Sequence, residues 1–110
     1  MSRRIITQGE AFSIAFFHIK IPIEGESDWR IRDSDKLTFS IARRNRSPDI
    51  EKTFPDGIEW SGDSFFVFLT AEETARLSCL LYRMQLTIDI GGKGKDVYTL
   101  VDKELEVIAK

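Results

Sequence analysis

Leu80-Leu81-Tyr82-Arg83-Met84-Gln85-Leu86-Thr87-Ile88-Asp89-Ile90 is the stretch whose reading decides the fold. Leu80, Tyr82, Met84, Leu86, Ile88 and Ile90 are apolar at every second position. Of the residues between them Arg83, Gln85, Thr87 and Asp89 are polar, and Leu81 is the exception. A period of two lets a strand press one face on a core and keep the other wet. Upstream, Thr70 followed three residues later by Glu73 is a capping box, in which each side chain satisfies a backbone amide that a helix start leaves open. With Glu72 and Glu73 in the first turn, it predicts a short helix from Ala71 to about Leu77. Downstream, Gly91-Gly92-Lys93-Gly94-Lys95 reads as a hairpin turn into Val97-Tyr98-Thr99-Leu100-Val101, with a last alternating piece at Leu105 and Val107.

Further upstream, Leu37, Phe39 and Ile41 alternate with Lys36, Thr38, Ser40 and Ala42, a half-buried strand. Ile50 to Phe54 is a weaker strand closed by Pro55-Asp56-Gly57, and Ile58 to Trp60 a further short piece. Ser64-Phe65-Phe66-Val67-Phe68-Leu69 is apolar on both faces, which predicts a central strand. Near the start, Ile5 and Ile6 precede a turn at Gln8-Gly9-Glu10. From Ala11 to Ile21, Phe12, Ile14 and Phe16 share one face and Phe17, Ile19 and Ile21 the other. That change of phase suits a bulge or a strand passing between sheets. About seven short strands and one short helix predict an all-β fold, an immunoglobulin-like antiparallel β-sandwich, with a small barrel as the alternative. Residues 1–110 read as a single domain.

The composition, 42% hydrophobic and 31% charged, is that of a globular chain, and eight Phe with two Trp suit the inner faces of sheets. Sixteen basic and eighteen acidic side chains leave a net charge of −2, without the basic excess of a nucleic-acid binder. No run approaches the roughly 18 apolar residues of a membrane span. Met1-Ser2-Arg3-Arg4 is not followed by the apolar region of a secretory signal, and the single cysteine, Cys79, excludes an internal disulfide. Synthesis in a reducing cytoplasm is the expectation.

Candidate chemistry is sparse. His18 has no Cys, Asp or Glu at ligand spacing, and Cys79 reads as a small buried hydrophobe at a strand start. Gly91–Lys95 resembles a phosphate loop only superficially, since Asp96 and a strand follow where Ser or Thr and a helix are needed. Asp28, Asp33 and Asp35 crowd a loop but match no calcium-ligand spacing. No metal or cofactor is expected, and no nucleophile, base and oxyanion set can be assembled, so the expectation is a protein without catalytic activity. An interaction surface has better candidates. Arg43, Arg44 and Arg46 form the densest basic cluster, suited to an acidic neighbour, and Trp29 and Trp60 are candidate interface anchors, with core packing as the competing role. Affinity would come from sheet-edge pairing or an aromatic patch.

Three pieces resemble a group of small phage domains, the immunoglobulin-like amino-terminal domain of baseplate upper proteins and its stand-alone phage and prophage relatives. Ile6-Thr7-Gln8-Gly9-Glu10-Ala11-Phe12 is similar to their Ile-x-x-Gly-Asp-x-Phe opening. Leu69-Thr70-Ala71-Glu72-Glu73-Thr74-Ala75-Arg76-Leu77, with Tyr82 after it, is similar to their Leu-Thr-x-Glu-Asp-Thr-x-x-Leu and the Tyr-containing strand that follows. Val97-Tyr98-Thr99-Leu100 and Leu105-Glu106-Val107 echo the closing hairpin and strand pair. Glu10 and Glu73 stand where Asp is commoner, and the long carboxy-terminal region of baseplate proteins has no counterpart here. The resemblance implies a virion structural or assembly protein of tail or baseplate type, virion-associated, whose partners are other phage structural proteins and further copies of itself. The alternative is a carbohydrate- or peptide-binding module with a groove lined by Trp29, Trp60 or Tyr98. A hydrolase using Asp33 or Asp35 is a third class.

Overall fold

The computed structural model describes residues 4–17, 34–61 and 64–110. Eight strands and one short helix follow in the order β1 (Arg4–Thr7), β2 (Phe12–Phe16), β3 (Lys36–Ala42), β4 (Ile50–Thr53), β5 (Ile58–Ser61), β6 (Ser64–Leu69), α1 (Ala71–Ala75), β7 (Leu81–Ile90) and β8 (Asp96–Ile108). They form a five-stranded sheet, β1-β8-β7-β3-β4, and a three-stranded sheet, β2-β6-β5. The expected all-β sandwich is present. Its strand order is that of the immunoglobulin sandwich, with β2-β6-β5 as the B-E-D sheet and β8-β7-β3-β4 as G-F-C-C′.

Alternation sets the core. Leu37, Phe39 and Ile41 of β3 and Tyr82, Met84, Leu86 and Ile88 of β7 turn inward and are buried, as are Ile14, Phe16, Ile58, Phe65, Val67 and Leu69 from the opposite sheet. Phe16 and Phe39 link the layers with ring centroids 6.1 Å apart. Each such side chain contributes about 1.5–3 kcal/mol by leaving water. β6 is the middle strand of its sheet, as its two apolar faces predict.

Four details differ from the sequence expectation. The β1–β8 pair is parallel, with Ile5 opposite Glu106 and Ile6 opposite Val107, so the pairing is not antiparallel throughout. Strand β8 runs unbroken over what the alternation divides into two pieces. It does so because Leu100 is an extra residue between the Leu86–Val101 and Thr87–Thr99 pairs, a bulge that keeps both halves paired with β7. Helix α1 stops at Ala75, because Arg76 and Leu77 donate to the carbonyls three residues back and tighten the last turn. The following strand begins at Leu81, past Cys79, which the sequence reading puts at a strand start. Phe17 lies just beyond β2 and is exposed while Phe16 is buried, and the continuation of that pattern at Ile19 and Ile21 falls outside the described residues.

The crossover from β6 to β7 is tied down at several points. Thr70 Oγ1 accepts from the Glu73 amide and the Glu73 carboxylate accepts from the Thr70 amide, which completes the capping box. Fully buried Thr74 donates its hydroxyl to Glu10 O at 2.9 Å. Gln8 Nε2 donates to Leu77 O at 2.6 Å, and Leu77 plugs the core beneath. Tyr82, near the start of β7, accepts on its Oη from the Ser78 amide at 2.8 Å, the tyrosine corner of immunoglobulin sandwiches. Two residues on, buried Met84 stands where an antibody domain has its second cysteine.

Candidate interaction surface

Trp60 alternates inward on β5 and stacks on Phe65, with centroids 5.7 Å apart and planes 16° from parallel. It is half-buried and packs against the core. Trp29, His18, Asp28 and Asp33 lie outside the described residues. Asp35 Oδ1 accepts from the Gly91 amide at 2.8 Å, a use within the turns at that end of the sandwich. Both Asp89 carboxylate oxygens accept from the Gly94 amide, so the glycine hairpin holds a carboxylate of its own chain. Cys79 is exposed rather than buried as expected, because it lies in the connection before β7, with Sγ 3.7 Å from Gln8 Oε1. Among the described residues no group of three or more His, Cys, Asp or Glu side chains is placed to hold a metal ion.

The three arginines sit on the connection between β3 and β4. Asn45, at φ 61°, turns the chain there, and the Arg46 amide donates to Arg43 O. Arg43 pairs with Asp49 at 3.7 Å across the base of the loop. Arg44 and Arg46 are exposed. Arg44 shares a shallow hollow with Leu81, Tyr82, Arg83 and Glu104, which ties the loop to the outer face of the five-stranded sheet.

That face carries the residues the sequence reading did not single out. The register sets Ile5, Glu106 and Leu81 in one row across β1, β8 and β7, with Ile108 in the next row on β8. Ile5 is 54% exposed, Leu81 51% and Ile108 40%. Asp102, Glu104 and Glu106 form a line of carboxylates on β8, and Arg83 Nε donates to Asp102 Oδ1 at 2.5 Å. The signal was present in Leu81, the one apolar residue among the outward positions of the deciding stretch. The opposite outer face has an aromatic cluster, with Phe17 edge-on to Phe66 at 6.2 Å and Phe68 also exposed on β6.

The edges of the five-stranded sheet, one expected docking route, carry cations in the inward phase, whereas the edge strands β2 and β5 of the other sheet carry none. Arg4 on β1 lies opposite Leu105 and sets its guanidinium 5.0 Å over the Phe12 ring. Lys103 lies opposite Met84 on the part of β8 beyond the reach of β1. Lys52 on β4 lies opposite Phe39 and meets the Glu73 carboxylate at 2.9 Å. An inward charge on an edge strand makes the addition of a further strand costly. Burial works to raise the Glu73 pKa, but hydrogen bonds from Lys52 and Thr70 and the Lys52 charge outweigh it and hold the carboxyl below its ordinary 4.5. No described helix is long and apolar enough to cross a membrane. A comparison with protein-family models gives no match, and a comparison with curated proteins gives none.

Proposed function

We propose that this chain is a non-catalytic structural or assembly protein of phage or prophage origin, of tail or baseplate type, that acts through protein–protein contacts and is virion-associated. One observation carries the reading: the segment with the most detailed likeness to the phage domains, Leu69–Leu77 with Tyr82, forms a single hydrogen-bonded unit. Its capping box and tyrosine corner together make the crossover between the two sheets. The likeness rests on residues, and in this chain those residues act together as one local unit. Exposed apolar residues on both outer faces supply surface on which protein neighbours can bury area.

The test is to induce the host prophage, purify particles and assembly intermediates, and analyse them by mass spectrometry. The chain is expected in one or both fractions, and its repeated absence from both overturns the reading. A carbohydrate- or peptide-binding module is the second reading. The outward Phe17, Phe66 and Phe68, of which Phe17 and Phe68 are exposed, favour it, because a sugar ring or an apolar side chain can stack there. Trp60 packs on Phe65 and is a poor anchor for such a groove. Saturable binding in a glycan or peptide screen, abolished by Phe68→Ser, would select this reading over the first.

A further inference from the structure

We propose that the outer edge of β2 takes up an extended acidic segment of a protein partner as a fourth strand. The inference deepens the reading of the chain as a contact-forming protein by naming an edge and the chemistry of its occupant. The corresponding sheet of an immunoglobulin domain has the strands A, B, E and D, with A beside B. Here β2, β6 and β5 supply B, E and D, while β1 pairs with β8 in the other sheet. Among the described residues no strand pairs with the outer edge of β2. The opposite side of the sandwich is crossed by the chain itself, where residues 54–57 run from β4 to β5 and Lys52 lies against Gly57.

Strand β2 carries no charged residue, and its outward side chains, Ser13 and Ala15, are small. A further strand can pair there without burying a charge of β2. Across the gap, the five-stranded sheet presents two cations in its inward phase. Arg4 reaches over Phe12, and Lys103 shares a hollow with Ala15 and Phe16. Arg4 lies opposite Leu105, two residues along β8 from Lys103, which is the interval between successive inward positions of a strand. Neither cation forms an ion pair with a described carboxylate. Asp102 lines the same hollow, but it points outward and holds Arg83. Every second side chain of an added strand points across the gap at these cations, so carboxylates at those positions meet opposite charge. A second copy of β2 offers no carboxylate there, because its inward residues are Phe12, Ile14 and Phe16.

Titration with a labelled nine-residue peptide that alternates glutamate with valine, read by fluorescence anisotropy and by amide exchange, tests this. Saturable binding below about 1 mM is expected, weakened by salt. Exchange of the β2 amides that face the outer edge is expected to slow on binding, while that of β7 stays unchanged. The same peptide with lysine in place of glutamate is expected not to bind. Arg4→Glu and Lys103→Glu are each expected to weaken binding by about tenfold or more, and R4E/K103E to take the lysine peptide instead. Thermal unfolding checks that each variant keeps the sandwich, and if one fails to fold, the peptide pair and the exchange pattern decide. Absence of saturable binding overturns the proposal, as does binding that the charge variants leave unchanged. So does slow exchange of the outer β2 amides in the peptide-free protein, since the edge is then already paired within the chain or with a second copy. Binding that Phe68→Ser abolishes and the charge variants spare lies on the aromatic outer face and also overturns it. The particle analysis reads presence in virions and not this edge, so failure of strand addition and failure of the virion assignment are told apart.

Discussion

Glu73 holds the amino terminus of α1 and, with the same carboxylate, the Lys52 ammonium of edge strand β4. Its pKa lies below 4.5 when folded, so the sign of its linkage is fixed. The stabilisation is fully present above the unfolded value and is lost as pH falls through the folded one. Denaturant midpoints should therefore drop on acidification from about pH 7 to about pH 3, and Glu73→Gln should flatten that part of the profile. A Glu73→Gln profile that parallels the natural one would refute the assignment. Glycine is used as tightly in the β7–β8 turn. A Cβ on Gly92, at φ +67°, would stand 2.8 Å from Ser34 O, whereas one on Gly94, at φ +73°, would meet nothing within 4 Å. Gly94→Ala should cost about 1–2 kcal/mol for its left-handed backbone, and Gly92→Ala more, because a backbone oxygen must also move. Urea unfolding of the two variants makes the comparison.

At the scale of elements, the β6–α1–β7 crossover is a helix of one turn and a half that could not persist alone in water. It persists because its polar groups reach outside it. Thr74 bonds to Glu10 O, Leu77 O accepts from Gln8, and Tyr82 accepts from the Ser78 amide. Tyr82→Phe keeps the buried ring and removes the acceptor, and should cost about 1–2 kcal/mol in unfolding free energy. Amide exchange at Ser78 should rise with it, and unchanged exchange there would mean that the corner is not held by this bond.

Over the whole molecule, two sheets close on one core while several apolar side chains stay on the outer faces. Phe39→Ala should cost about 3–5 kcal/mol, because a ring packed between the sheets leaves a cavity. Phe68→Ser, on an exposed face, should change stability by less than about 0.5 kcal/mol. Equal losses for the two would contradict the assignment of inner and outer faces. Every sheet pairing here except the hairpins joins residues far apart in the chain, so folding on the scale of milliseconds to seconds is expected in stopped-flow measurements.

Some of this architecture is legible in the residues themselves. Alternation at Leu37–Ile41 and Tyr82–Ile90 names the strands and their buried faces, and Thr70 with Glu73 names the helix start. These signals are local: a strand has a period of two and a helix cap spans four residues wherever the chain goes next. Only tertiary structure decides that Arg4–Thr7 lies parallel to Leu105–Ile108, that Leu100 bulges, and that Trp60 turns onto Phe65. Likewise, Leu81 is a lone apolar residue in the sequence, and becomes the middle of a surface only when β1, β8 and the Arg44 loop are brought beside it. Pairing partners and shared faces depend on contacts between segments up to a hundred residues apart, and local periodicity carries no information about those contacts.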